Sequence, residues 1–302
     1  MVLILGCTAS GKGGAAFEMA KMVGGQILSI DSMKVYRRMD IGTAKPSEQR
    51  QREVVHHLID VVEPSEPFSV GRFVEMADQV IDDLQQAKSP IIAAGGTAMY
   101  IRGLIEGIFE GPGADAGIRE QLIEQAENTG LGKLHERLEE VDPDAAERIH
   151  PNDQKRIVRA LEVFELTGKP ISSFQSHFHS GNYRHDWIII GLRRSKEEAS
   201  GRINQRVKNM IDQGLVEEVE TLLSEPEGLS SQAAQAVGYA EIIDYLQGEM
   251  SLDEAIEKIK INTRRLAKRQ RTWFRSFDGV KWIDLDEDST AERTAQIMVD
   301  ML

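Results

Sequence analysis

The segment VLILGCTASGKGG, residues 2–14, decides the fold, because an apolar strand candidate, VLIL (2–5), runs straight into a glycine-rich turn that carries a lysine. The turn GCTASGKG (6–13) fits the phosphate-loop pattern G-x-x-x-x-G-K-[ST] at every position but the last, where Gly13 replaces the hydroxyl. Backbone N–H groups of Gly6, Cys7, Thr8, Ala9, Ser10, Gly11 and Lys12, with the positive end of the helix read over AAFEMAKMV (15–23), suit a diphosphate or triphosphate. Lys12 adds a point charge, and the plain alternative is a glycine turn with a surface lysine. Gly13 offers a metal only room for water, a loss of about 1.5–3 kcal/mol by analogy with a hydrogen bond to a charged group. Gly13 and Gly14 each weaken the first helical turn by roughly 1 kcal/mol relative to alanine. Cys7 stands where a helix start can lower a thiol pKa, but it reads better as a small packed residue.

Outward from this segment, the pattern continues as strand and helix in alternation. QILSID (26–31) is a second strand ending in a carboxylate, a helix covers Val70 to Gln86, and SPIIAAGGT (89–97) is a third strand closed by a Gly-Gly turn. This predicts an α/β fold with a P-loop NTPase-like core, a parallel sheet with crossover helices whose ligand site lies beyond the carboxyl ends of the strands. From Gly111 the character changes: GPGADAG (111–117) resembles a linker, and the helical segments that follow break at Pro151 and close at Gly168 and Pro170. WIIIGL (187–192) restores the strand signature and VKWIDL (280–285) adds another. The expected organisation is a catalytic core over 1–111 and 181–302 with an all-helical insertion domain over 112–180. Neither internal repeats nor a low-complexity tract is present.

A chain of 302 residues with 41% apolar residues can bury sizeable cores, and its net charge of −13 argues against a protein that coats nucleic acid over its whole surface. A concentrated basic patch remains compatible with that charge. The single cysteine excludes an internal disulfide and a four-cysteine zinc site. With no secretory signature and no apolar run of membrane-spanning length, the expected address is the cytoplasm and no membrane partner is expected.

Asp31 ends the second strand beside the phosphate loop, where a carboxylate can serve as a general base, hold Mg²⁺ through water, or cap a turn with Ser32. Tyr36, Arg37 and Arg38 follow, a cluster able to face a nucleic acid or to cover the sheet edge. SLDEAIEKIKINTRRLAKRQRTWFR (251–275) opens with a capping box, Ser251 and Glu254, and carries an apolar stripe through Leu252, Ala255, Ile256, Ile259, Leu266 and Ala267. Arg264, Lys268, Arg271 and Arg275 share another face, and no acid interrupts 264–275. A solvated face is the ordinary reading of such a run; segregation within an acidic chain favours a phosphate backbone. Lys155, Arg156 and Arg159 repeat the pattern on a smaller scale. His177, His179 and His185 read as surface histidines rather than metal ligands, His56 and His57 as structural hydrogen-bonding groups, and Trp273 and Trp282 as core anchors.

Taken together, GCTASGKG (6–13), DSMKVYRRMDIGTAKP (31–46), HHLID (56–60), GGTAMY (95–100), HPNDQKRIVRALEV (150–163), AVGYAE (236–241) and AKRQRTWFR (267–275) resemble, in order and spacing, the tRNA dimethylallyltransferases of the isopentenylpyrophosphate transferase family. The resemblance implies transfer of a dimethylallyl group from dimethylallyl diphosphate to N6 of the adenosine beside the tRNA anticodon, with Mg²⁺ as cofactor. It also implies that the helical insertion grips the anticodon stem. By the same resemblance Gly6 to Gly13 hold the diphosphate, Asp31 is the general base, Arg202 neutralises the diphosphate, and Lys12 and Thr97 complete the catalytic set. It likewise places tRNA against Asp31, Ser32, Met33, Lys34, Thr97 and Arg119, and against Lys155, Arg156, Ile157, Val158 and Arg159. Further contacts fall at Gln235, Ala236, Val237, Gly238, Tyr239 and Ala240, and at Lys268, Arg269, Gln270, Arg271, Thr272, Trp273, Phe274 and Arg275. The chain departs from the family pattern on the donor side: Gly13 for the hydroxyl, Cys7 for proline, Lys196 for arginine. Lysine at 196 keeps charge but loses bidentate geometry. How Mg²⁺ is held therefore stays open, and a degenerate tRNA-binding homologue or a P-loop small-molecule kinase are the competing readings. The asymmetric grip on tRNA is compatible with a monomer.

Overall fold

The computed structural model describes residues 1–108, 111–174 and 183–302. By its own contacts the chain divides into two compact units, residues 1–107 with 183–302, and residues 108–182.

The first unit is built on six parallel strands, β1 (Val2–Gly6), β2 (Gln26–Ile30), β3 (His56–His57), β4 (Ile91–Gly95), β5 (Ile188–Arg193) and β6 (Lys281–Asp284), ordered β3-β2-β4-β1-β5-β6. Its helices are α1 (Lys12–Val23), α2 (Glu48–Glu53), α3 (Val70–Gln86) and α4 (Ala98–Glu106) before the second unit. The second unit contains α5 (Ala116–Thr129), α6 (Leu131–Val141), α7 (Pro143–Arg148), α8 (Gln154–Thr167) and α9 (Ile171–Phe174). Back in the first unit come α10 (Lys196–Asp212), α11 (Leu215–Ser224), α12 (Ser231–Ala234), α13 (Tyr239–Leu246), α14 (Leu252–Phe274) and α15 (Ala291–Val299).

Alternation along the strands sorts the two faces. Val2 and Ile4 point with Ile27, Ile92 and Ile190 into a core shared with Phe17 and Met19 of α1 and Met298 of α15. Leu3 and Leu5 point with Leu28, Ile30 and Ile189 into a larger core closed by α3, α4, α10, α11 and α14. A strand apolar on both faces is what a parallel sheet covered by helices requires, which is why VLIL and WIIIGL read as continuous apolar runs. HHLID behaves differently: β3 is only two residues long, too short for any periodic signal, and was read from sequence only as a hydrogen-bonding motif. Its histidines do bond structurally, His56 Nδ1 to the Val54 carbonyl at 2.8 Å and His57 Nε2 to Gln26 Oε1 at 2.8 Å.

Close strand packing fixes Gly95, where a Cβ would sit on the Ile30 carbonyl and on its Cβ. Both atoms belong to the neighbouring strand, so neither yields without breaking the β2–β4 ladder. Gly95→Ala should lower stability by about 1–3 kcal/mol or more and Tm by several degrees. Thermal denaturation checks this, with Gly24→Asn, a residue tolerant of the positive φ of 63° at that helix end, as the mild control.

In the second unit Leu122, Leu134, Leu138, Ile157 and Leu161 form a separate core among helices alone. Gly168, at φ 67°, ends α8 in the left-handed conformation that favours glycine. His177 and His179 lie outside the described residues.

Candidate active site

The loop between β1 and α1 turns tightly. Ser10 N–H donates to the Cys7 carbonyl at 3.1 Å, and Ala9 (φ 63°) and Gly11 (φ 95°) both adopt the left-handed region. For alanine that conformation costs about 1 kcal/mol or more and must be held from outside. Two arginines hold it: Arg202 Nε donates to the Ala9 carbonyl at 3.0 Å and Arg194 Nε to the Ser10 carbonyl at 3.1 Å. Arg194 is itself fixed by an ion pair with Glu198 and a bond to the Asp286 carbonyl. Ser10 N–H is taken by the Cys7 carbonyl, Thr8 N–H by Gln270 and Lys12 N–H by Ser10 Oγ at 3.4 Å, so it is the amides of Ala9 and Gly11, in the turn whose carbonyls the arginines hold, that can meet an anion. Cys7 donates its thiol to the Ala267 carbonyl at 3.5 Å, and burial pushes its pKa up against the opposing charges of Arg271 and Lys12. It is the packed residue, not a reactive one.

The carboxyl ends of β1, β2 and β4 bring three sequence motifs to one cavity of about 1050 Å³. Lys12 Nζ reaches the Cys7 carbonyl at 3.4 Å, and enclosure pushes its ammonium down to about 8 while the Asp31 carboxylate pulls the other way. Asp31 Oδ1 accepts from the N–H groups of Met33 at 2.9 Å and Lys34 at 3.3 Å, so it caps the turn while its carboxylate lines the cavity. Thr97, which precedes α4, accepts from Ser32 N–H at 3.1 Å and so ties the β4 turn to the Asp31 turn. Gln270 of α14 closes the circle: its Oε1 accepts from Thr8 N–H at 2.8 Å and its Nε2 donates to the Gly96 carbonyl at 2.9 Å.

Among the described residues seven lysines and arginines line this cavity, Lys12, Lys34, Lys45, Arg50, Arg202, Arg206 and Arg269, against one carboxylate, Asp31. Lys45 is neutralised by Asp40 and, at 2.6 Å, by Asp60. The remaining excess is positive in a chain of net charge −13. Arg206, one helical turn beyond Arg202 on α10, was not singled out from sequence. It bonds the Thr43 carbonyl at 3.4 Å, and burial lowers its pKa against the attraction of Asp31. Burial lowers Lys34 in the same way.

The DIGTAKP loop forms another wall of the cavity and is organised by a residue sequence reasoning also missed. Glu218 accepts from the N–H groups of Asp40 (3.0 Å), Ile41 (2.8 Å) and Gly42 (3.3 Å), and from the Tyr239 hydroxyl at 2.6 Å. The hydroxyl end of the Tyr239 ring lies against Gly42, which leaves no space for a Cβ. Burial and the Glu218 carboxylate push the Tyr239 phenol well above its ordinary value.

The residues expected to meet RNA divide by exposure. Lys268, Arg269 and Thr272 are exposed on α14 and Arg275 at its C-cap, and Lys155 and Arg156 on α8. Arg264 is committed to Ser200 (2.9 Å) and Asn204 (2.6 Å) of α10. Ile157, Val158 and Phe274 are buried in their cores, where apolar spacing turns their side chains away from RNA, whereas Ala236 and Tyr239, though buried, line the cavity. Arg119 and Arg159 converge on the buried Glu162, at 2.9 Å and 2.6 Å. Of the two tryptophans, Trp282 covers Gly191 as an anchor, whereas half-buried Trp273 lines the cavity with Arg102 5.0 Å from its ring centroid. The core-anchor expectation for Trp273 is therefore corrected: it ends a helix at the cavity, where one ring face has no core to enter.

The Mg²⁺ implied by the resemblance meets a poor donor set. Gly13 has no hydroxyl, no three-member group of His, Cys, Asp and Glu exists among the described residues, and Asp31 is hemmed by Lys12, Lys34 and Arg206. These residues do not fit a protein-held ion.

A parallel sheet whose first turn carries the phosphate-loop pattern, with Asp31 at the end of the neighbouring strand, defines a phosphate-loop α/β protein. A family model described as IPP transferase matches residues 34–277. A curated tRNA dimethylallyltransferase of Acetivibrio thermocellus is 47% identical over 97% of this chain and 94% of its own length, and one of Geobacter metallireducens is 47% identical over 94% and 92%. Among solved structures, the full-length tRNA isopentenylpyrophosphate transferase of Bacillus halodurans matches with TM-score 0.71 at 37% identity, covering 99% of this chain and 95% of that one. A eukaryotic dimethylallyltransferase acting on tRNA matches with TM-score 0.82 at 26% identity, over 99% and 77%. The chain belongs to the IPP transferase family, the tRNA dimethylallyltransferases.

Proposed function

We propose that this chain transfers the dimethylallyl group of dimethylallyl diphosphate to the exocyclic N6 of the adenosine beside a tRNA anticodon. The observation that carries the reading is the meeting, in one cavity, of an anion-binding loop and a single carboxylate. The amine nitrogen attacks the allylic carbon, the carbon–oxygen bond breaks, and its electron pair leaves with the diphosphate. Loop amides, Lys12 and Arg202 receive that negative charge, while Asp31 accepts the proton released from nitrogen. Thr97 holds the Asp31 turn in place through Ser32. The target base leaves its stack to reach the cavity, at a cost of a few kcal/mol that the exposed cations of α14 and stacking on Trp273 offset. Arg119, Lys155, Arg156 and Arg159 of the helical unit serve the same RNA. No described helix is long and apolar enough to cross a membrane. The proposed reaction is a cytoplasmic one, with the chain acting as a monomer.

Incubation with dimethylallyl diphosphate and unmodified tRNA, followed by mass spectrometry of the nucleosides, should show adenosine gaining one isoprenoid unit. Binding of both ligands with no gain in mass would instead identify a degenerate tRNA-binding homologue.

A further inference from the structure

The cavity has cations in excess and lacks the hydroxyl that normally places a metal ion beside a phosphate loop. We propose that this chain captures the diphosphate with its own lysines and arginines and needs no Mg²⁺ to do so; the inference rests on the diphosphate reading above.

Three observations converge on it. At the position after Lys12, the first residue of α1, the chain has glycine, and a Cβ built there meets nothing within 4 Å. The space for a ligating side chain exists, and the side chain does not. Mg²⁺ demands near-octahedral oxygen ligands, commonly one or two carboxylates alongside the phosphates and waters. Among the described residues the only carboxylate lining the cavity is Asp31, whose Oδ1 already accepts two amide protons. Finally, the charge a metal would neutralise is met otherwise. Lys12 stands inside the loop, and the Arg202 guanidinium lies over Gly11, its Nη2 3.8 Å from where a Cβ would be. Arg206 stands one helical turn deeper with a single long bond of 3.4 Å to the Thr43 carbonyl, leaving most of its five donors for an oxyanion. Lys34 adds a fourth cation on the Asp31 side. Four cations against one carboxylate balance a diphosphate of about three negative charges without an ion.

Isothermal titration with inorganic pyrophosphate, in EDTA and in excess Mg²⁺, tests the assignment. For the natural chain the Kd in EDTA should be at most fivefold weaker than in Mg²⁺. Gly13→Thr restores the hydroxyl at an unstrained, open position and should make binding about tenfold or more tighter with Mg²⁺ than in EDTA. Gly13→Ala, which also removes the glycine from the first helical turn but adds no ligand, should keep the natural ratio. A natural chain that loses more than fivefold in EDTA, or a Gly13→Thr variant with the natural ratio, overturns the proposal. Absence of pyrophosphate binding in both media would remove the diphosphate reading itself.

Discussion

Asp31→Asn should lower turnover with tRNA by about 10²–10⁴-fold, the range for loss of a general base, while leaving tRNA affinity within a fewfold of the natural chain. Asparagine is the informative replacement because the carboxylate has two tasks. Its Oδ1 holds the Met33 and Lys34 amides, and an amide oxygen can keep both bonds, so the turn and the Ser32–Thr97 contact survive. Only the proton acceptor is lost. Single-turnover measurement separates chemistry from binding, and unchanged circular dichroism shows that the turn is intact. A full rate in the variant would remove Asp31 from the chemistry and leave it as a cap. The replacement also removes the charge that opposes the lowered pKa of Lys12, so the Lys12 ammonium should fall further.

The second large effect belongs to Lys12. Lys12→Met should weaken dimethylallyl diphosphate binding by about 10–150-fold, the worth of a hydrogen bond to a charged group, and should lower turnover as well, because negative charge grows on the diphosphate in the transition state. The free protein holds this ammonium at about 8, against 10.5 for an ordinary lysine. A bound polyanion favours the charged form, so at pH 8 to 9 binding should draw a proton from buffer, and affinity should fall as pH rises through 8. Calorimetry in buffers of different ionisation enthalpy measures this uptake, which Lys12→Met should abolish. Stability of the free protein runs the opposite way. Between pH 8 and 10.5 the unfolded chain binds more protons at this site than the folded one, so folding gains stability as pH rises through that window. Below 8 the group contributes no pH dependence, and in Lys12→Met the gain should vanish from denaturation curves taken at pH 7.5 and 10.

Local signals carried the sheet. VLIL, QILSI and WIIIGL are apolar on both faces because helices cover both sides, and the Gly-Lys turn after the first of them needs only backbone freedom and one charge. The capping box of α14 was legible for the same reason, since Ser251 and Glu254 satisfy each other across three residues. Of the site, Lys12 and Asp31 could be named from their places at a turn and a strand end, whereas Thr97 and Arg202 came only through the family resemblance.

What the chain alone could not reveal are the contacts between residues hundreds of positions apart. Gln270 meets Thr8 across 262 residues, and Arg202 meets the Ala9 carbonyl across 193. Arg206 and Glu218 look like ordinary helix-surface charges until packing turns them toward the cavity and the DIGTAKP loop. Ile157, Val158 and Phe274 sit inside basic stretches that read as RNA-facing, yet helical spacing carries them into the core. The sequence by itself determined every strand but the two-residue β3, the phosphate turn and the carboxylate beside it, because backbone geometry and period are encoded within a few residues. Only the tertiary structure decided which cations surround that carboxylate, since the facing of a helix is settled by what it packs against.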